Sequence, residues 1–219
     1  MKKLFTIVAA ALMSISAINA QNFGVEGVAG MNVSNWGGLG SKVGFHAGAR
    51  FELAIPSVAG LYTNAGLMLS LKGCKQDYGE IGNATTNAYY LDVPIHVGYK
   101  FSITNDFAIF GEVGPYVAIG LFGKSNSVTG EFYDENGDFG YSSEEETINT
   151  FDFAKRFDVG AGLRVGVEFK KKYSLSIGYD WGFIDSYIDD EEDMDDDYVI
   201  DLTPSMKNTN LTISLGYKF

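Results

Sequence analysis

The feature that most constrains this chain is its last stretch. From Leu211 onward the residues alternate without a break: Leu211, Ile213, Leu215, Tyr217 and Phe219 fall on one side, Thr212, Ser214, Gly216 and Lys218 on the other. A period of two dictates a β-strand with one apolar and one polar face. The chain stops on the aromatic Phe219, at the edge of the apolar face.

Seven earlier segments repeat the pattern. The first sets Phe23, Val25, Ala29, Met31 and Val33 against Gly24, Glu26, Val28, Gly30 and Asn32, and Asn35-Trp36-Gly37-Gly38 ends it. The second sets Val43, Phe45, Ala47, Ala49, Phe51 and Leu53 against Gly44, His46, Gly48, Arg50 and Glu52, up to Pro56. The third places Ala65, Leu67, Leu69 and Leu71 opposite Asn64, Gly66, Met68, Ser70 and Lys72. In the fourth, Leu91, Val93, Ile95, Val97, Tyr99 and Phe101 oppose Tyr90, Asp92, Pro94, His96, Gly98 and Lys100. The fifth runs from Phe107 to Leu121 with Phe110, Glu112, Gly114, Tyr116 and Gly120 on the polar side; the sixth runs from Phe157 to Phe169 and the seventh from Tyr173 to Phe183. These eight runs, each of about ten residues, predict an all-β fold, an eight-stranded antiparallel up-and-down transmembrane β-barrel.

The connections near 55 to 60, 102 to 106 and 170 to 172 are short, whereas those near 34 to 41, 75 to 87, 122 to 152 and 185 to 206 are mostly longer. Short turns at one end and long loops at the other fit an outer-membrane barrel with both termini periplasmic and the long loops extracellular. At the amino terminus Lys2 and Lys3 precede the apolar run Leu4 to Met13, and Ala17-Ile18-Asn19-Ala20 follows. That is the layout of a secretory signal peptide over residues 1–20, leaving a barrel domain over 21–219. The run is shorter than the roughly 20 apolar residues of a spanning helix. With Cys74 as the only cysteine, an internal disulfide is impossible, and the thiol reads as a small residue at a strand end.

Alternation alone does not say whether the apolar face meets lipid or fills a secreted, lipocalin-like barrel. Glycines crowd the polar faces, among them Gly44, Gly48, Gly98, Gly114, Gly160, Gly162, Gly178 and Gly216, as the narrow interior of an eight-stranded barrel requires. Seven acids on those faces (Glu26, Glu52, Asp92, Glu112, Asp158, Glu168, Asp180) stand against six bases (Arg50, Lys72, Lys100, Arg164, Lys170, Lys218), a near balance that suits paired charges in a closed lumen. The apolar faces end in Phe23, Phe51, Phe101, Phe107, Phe169, Tyr173 and Phe219 at the short-turn side, as a membrane interface favours. Lipid therefore belongs outside.

The segments Phe23-Gly24-Val25 with Gly30-Met31-Asn32, Gly44-Phe45-His46-Ala47-Gly48, Ser70-Leu71-Lys72-Gly73, Tyr90-Leu91-Asp92-Val93-Pro94-Ile95 and Gly111-Glu112-Val113-Gly114-Pro115-Tyr116 resemble the PorT-like outer-membrane β-barrel domain family of Bacteroidota, an OmpA/OmpX-like barrel. The terminal Phe219 resembles the closing residue of such barrels, part of the signal read by the barrel-assembly machinery. The resemblance implies a small integral barrel of the outer membrane, in contact with lipid and lipopolysaccharide. One member type assists protein secretion, which implies an alternative role as an accessory membrane component of a type IX secretion system.

The net charge of -12 is concentrated in two connections: residues 122 to 152 hold eight acids and one base, and 185 to 206 hold ten acids and no base. The run Asp189, Asp190, Glu191, Glu192, Asp193, Asp195, Asp196 and Asp197 admits two readings. One is capture of Ca²⁺ or Mg²⁺, hard cations that want several oxygen ligands. The other, favoured because the run lacks the glycine and spacing of a calcium loop, is a solvated, self-repelling segment. Asp134-Glu135-Asn136-Gly137-Asp138 reads as a hairpin turn that extends strands five and six above the membrane.

His46 and His96 both fall on lumen faces with no nucleophile motif beside them, so packed histidines are expected and catalysis is not. Nucleic acid is disfavoured by the negative exposed charge. A pore is disfavoured by the narrow, charge-filled interior. The expected role is structural or surface interaction through the acidic loops, with a protein partner there.

Overall fold

The computed structural model describes residues 23–77, 79, 82–133, 140–186 and 206–219, with the backbone alone for 129–133 and 140–144. Among the described residues nine strands follow one another: β1 (Phe23–Trp36), β2 (Gly40–Ala54), β3 (Leu61–Asp77), β4 (Gly82–Ser102), β5 (Phe107–Tyr133), β6 (Gly140–Asn149), β7 (Phe157–Phe169), β8 (Tyr173–Asp185) and β9 (Lys207–Lys218). The short helix α1 (Thr150–Phe153) lies between β6 and β7.

Eight strands close a ring in which every neighbour is antiparallel, with β4 paired to β5, β5 to β7, and β9 back to β1. The eight-stranded barrel read from the sequence is therefore the fold. β6 is a ninth strand outside the ring. It pairs only with the upper part of β5, from Lys124↔Asn149 to Tyr133↔Gly140. The expected hairpin on strand five is present, but its return arm is cut off from the sixth ring strand by α1. The turn itself lies outside the described residues, as do the expected signal peptide and the acidic run 189–197.

The loop end corrects the expected connections. The first needs only Gly37, Gly38 and Leu39, and β3 and β4 continue to Asp77 and from Gly82. The polar stretch Asn83, Thr85, Thr86 and Asn87 carries no apolar alternation, so it reads as loop, yet its backbone pairs with both neighbouring strands. Trp36, expected in a turn, is the last residue of β1 and is buried.

The faces are assigned by exposure. Met31, Phe45, Ile95, Val97, Phe101, Val113, Val165, Ile177, Ile213 and Leu215 stand outward and exposed, while Glu26, Arg50, Lys72, His96, Glu112 and Glu168 are buried inside. Such an inversion leaves a continuous apolar exterior, which water would penalise at about 25 cal/mol per Å² and acyl chains would not. From Tyr89 to Phe101 the outer residues of β4 span roughly 30 Å along the axis, at about 3.3 Å per residue and about 40° tilt, enough for an apolar band of about 25 Å. Rings edge both ends of this belt. Phe23 stacks on Phe51 at 6.1 Å and Tyr217 meets Phe219 at 5.3 Å on the short-turn side, with Tyr89 on Phe122 at 4.5 Å and Tyr179 against Trp181 at 4.6 Å near the loop end.

β2 slips in register against β3 between Ser41 and His46, which leaves backbone groups of β3 without ladder partners. Lumen side chains of β1 reach over to them. Asn32 Nδ2 donates to Leu71 O at 3.0 Å, Ser34 Oγ donates to Gly73 O at 2.9 Å, and Gly73 N–H reaches the same hydroxyl oxygen at 2.9 Å. Buried backbone polar groups must find partners, and here polar lumen residues supply them.

Candidate functional site

The lumen is filled in layers. At the short-turn end Lys100 Nζ donates to Glu52 Oε1 at 2.9 Å and Glu168 Oε2 at 2.8 Å, and Lys218 Nζ donates to Glu52 Oε2 and Glu168 Oε2 at 2.6 Å each. These four charges, brought from β2, β4, β7 and β9, close that end. Ser174 Oγ donates to Glu26 Oε1, and Arg50 lies 3.5 Å from Glu26.

One layer deeper, Glu112 accepts from Tyr62 Oη at 2.9 Å, Asn64 Nδ2 at 3.1 Å and Arg164 Nη1 at 2.6 Å, with His96 Nδ1 at 3.6 Å. Next, Lys72 Nζ donates to Asp92 Oδ1 at 2.8 Å and sits about equally far from the rings of Tyr90 (5.3 Å) and Tyr116 (5.2 Å). Asp158 and Asp180 are held by neutral donors: Tyr116 Oη at 3.0 Å and Asn208 Nδ2 at 3.1 Å for the former, Asn210 Nδ2 at 3.4 Å for the latter. The expected balance of charge needs one correction. Lys170 lies exposed in the β7–β8 turn with φ 52, so only five of those six bases face the seven acids inside.

Toward the loop end the lining turns apolar. Trp36, Cys74, Ala88, Tyr90, Tyr116, Ala118, Phe151 and Ala154 form one buried cluster across the mouth. Helix α1 supplies Phe151, whose ring meets Tyr90 edge-on at 5.8 Å. The helix can lie this close because a Cβ at Gly120 would strike the Phe151 ring, and one at Gly123 would stand 2.9 Å from Thr150 Oγ1. Thr150 Oγ1 donates to Asn87 O at 2.8 Å and fixes the helix to β4.

Within the ionic layers a cavity of about 40 Å³ remains, lined by His46, Arg50, Lys72, Asp92, Arg164 and Asp180 among others. That is room for roughly three waters at about 10–15 Å³ each. His46 Nε2 is 2.8 Å from Ser214 Oγ, a distance at which an imidazole could activate a hydroxyl. Both residues are buried, however, and His46 Nδ1 has no hydrogen-bond partner among the described residues to orient the ring. His96 faces Glu112, with Asp92 engaged by Lys72 instead. The arrangement pairs and fixes charge.

No cluster of three or more metal-ligating side chains occurs among the described residues. The acidic run proposed as a cation site, 189–197, and Asp134 to Asp138 lie outside them. Sequence reasoning missed the mouth plug. Its signal was present in Trp36, Tyr90 and Tyr116, aromatics in register with the polar faces of their strands, whereas nothing in the sequence marks Phe151.

The chain was compared with known proteins. Neisserial surface protein A matches at 14% identity over 90% of this chain and 97% of that one, with a TM-score of 0.46. The attachment invasion locus protein Ail of Yersinia pestis matches at 13% identity over 90% and 99%, with a TM-score of 0.40. The N-terminal barrel of Pseudomonas aeruginosa OprF matches at 9% over 90% and 99%, with a TM-score of 0.32. No curated protein matches the sequence. The family model of the outer membrane protein beta-barrel domain matches residues 14–187, most of the chain. With its closed ring, apolar exterior and charge-filled lumen, the chain belongs to the outer membrane protein β-barrel domain family.

Proposed function

We propose that the protein is a surface-interaction barrel, anchored by its belt and presenting an acidic, strand-built platform outside the cell. The observation that carries this reading is the unequal height of its two ends. At one end β7 and β8 turn over three lysines. At the other, β5 runs on from Phe122 to Tyr133, roughly 28 Å beyond the belt at about 3.3 Å per residue and about 40° tilt, flanked by β4 and β6. A hydrogen-bonded sheet holds its side chains in fixed positions, as a recognition surface requires. The exposed Glu145 and Glu146 give it negative charge.

In this reading residues 1–20 are cleaved after Ala20, both termini are periplasmic, and Phe219 closes the strand that the assembly machinery engages. A protein partner meets the β5–β6 hairpin and the acidic segment beyond β8. The test is site-specific photo-crosslinking from the exposed position of Glu145 in intact envelopes, with Phe169 at the opposite end as control. The reading expects a protein adduct from Glu145 that deletion of 186 to 200 weakens. Adducts to lipid alone would refute it. An adduct to a component of a secretion apparatus, with a secretion defect on gene deletion, would establish the accessory role in its place.

A further inference from the structure

Where the β5–β6 hairpin leaves the barrel wall, a groove of about 550 Å³ opens on the outer surface. Tyr89, Leu121 and Phe122 form its lower wall, and Lys124, Ile148 and Arg156 stand around it. The lower wall is continuous with the apolar belt: Phe122 and Leu121 are 56% and 41% exposed, and Tyr89 stacks on Phe122.

Arg156 is fixed before any ligand arrives. Its Nη1 donates to Gly120 O at 3.2 Å and Leu121 O at 2.9 Å, and its guanidinium carbon lies 4.6 Å from the centre of the Phe151 ring. Those bonds use one nitrogen of a group with five N–H donors. Neither Arg156 nor Lys124 enters an ion pair among the described residues. Two bases thus share a groove at the border of the lipid belt, on the end of the barrel that carries most of the acidic residues.

We propose that this groove binds the phosphorylated headgroup of an anionic lipid, with Arg156 and Lys124 on phosphate oxygens and acyl chains along Tyr89, Leu121 and Phe122. A planar guanidinium matches phosphate geometry, and a lysine adds a mobile second charge. The depth selects a lipid over an acidic protein, because only a lipid continues from the charged groove onto the apolar wall below it. The assignment to the outer leaflet rests on the orientation proposed above; the site itself does not.

The purified barrel in dodecyl maltoside is titrated with lipid A, with dephosphorylated lipid A and with sodium phosphate, and retained lipid is read by native mass spectrometry. Lipid A is expected to be retained about tenfold better than its dephosphorylated form, a difference of about 1.4 kcal/mol. Lys124→Gln with Arg156→Gln is expected to abolish the preference, while Lys170→Gln with Lys171→Gln at the opposite end leaves it intact. Should the double variant fail to fold by gel mobility, Lys124→Gln alone, on an exposed side chain, is expected to lower the preference about threefold. Equal retention of the two lipids, an equal loss in the opposite-end variant, or displacement of lipid A by equimolar phosphate would overturn the proposal. A barrel inserted the other way round would still bind in detergent, so surface labelling at the position of Glu145, outside the groove, on cells separates an error of orientation from an error about the site.

Discussion

Glu112→Gln tests the packed lumen most severely. The carboxylate is buried and accepts from Tyr62, Asn64 and Arg164, the last at 2.6 Å. Glutamine keeps the shape but removes the charge that Arg164 faces, and turns an amide N–H₂ toward existing donors. Hydrogen bonds to a charged group contribute about 1.5–3 kcal/mol each, and breaking a buried ion pair by removing one partner costs about 3–5 kcal/mol. These overlap, so the expected loss is about 4 kcal/mol, nearly a thousandfold in the folding equilibrium. Reversible guanidinium unfolding in phospholipid vesicles, followed by the fluorescence of Trp36 and Trp181, measures it as a shift in midpoint at unchanged slope. Adding Arg164→Gln removes the stranded charge, and the double variant is expected to recover about 2 kcal/mol relative to additivity. A loss below about 1 kcal/mol, or strict additivity, would refute the reasoning.

Gly98→Val places its Cβ against the Tyr62 ring and pushes that phenol off Glu112; a loss of about 2–3 kcal/mol is expected in the same assay, whereas Val97→Leu on the outer face is expected to be near neutral. Phe151→Ala should release α1 from the mouth without opening the ring. Amide exchange over residues 150–156 is expected to rise by about two decades, for roughly 3 kcal/mol of lost packing, while gel mobility of the folded barrel is unchanged. Calorimetry with CaCl₂ is expected to show no saturable heat at millimolar calcium, because the run 189–197 lacks the spacing of a calcium loop.

The ring was legible because each strand carries two independent signals, apolar residues on one face and glycine with charge on the other. Leu91 to Phe101 and Leu211 to Phe219 need no tertiary information to be read. The upper strands were not legible for the same reason. Above the belt both faces of β4 and β5 are polar, so Asn83 to Asn87 and Lys124 to Thr129 lose the alternation while keeping the hydrogen bonds. Lys170 was misplaced because parity extends a strand past its end; the turn at Lys170 and Lys171, both at positive φ, breaks the period. The histidines sit in the lumen as read, but the partners of His46 depend on which strand closes the ring, since Ser214 lies far along the sequence on β9. Arg156 gave no signal at all: its position follows from a bulge in β5 and a helix of four residues.

The central claim is that apolar side chains meet acyl chains while polar ones fill the middle. Its most direct measurement is methyl NMR of the barrel in bicelles doped with a spin-labelled fatty acid. Ile95, Val97, Val165, Ile177 and Ile213 are predicted to broaden strongly, while the methyls of Met68 and Ala118 stay sharp. Sharp signals from the five aliphatic residues, with broadening confined to Met68 and Ala118, would contradict the account.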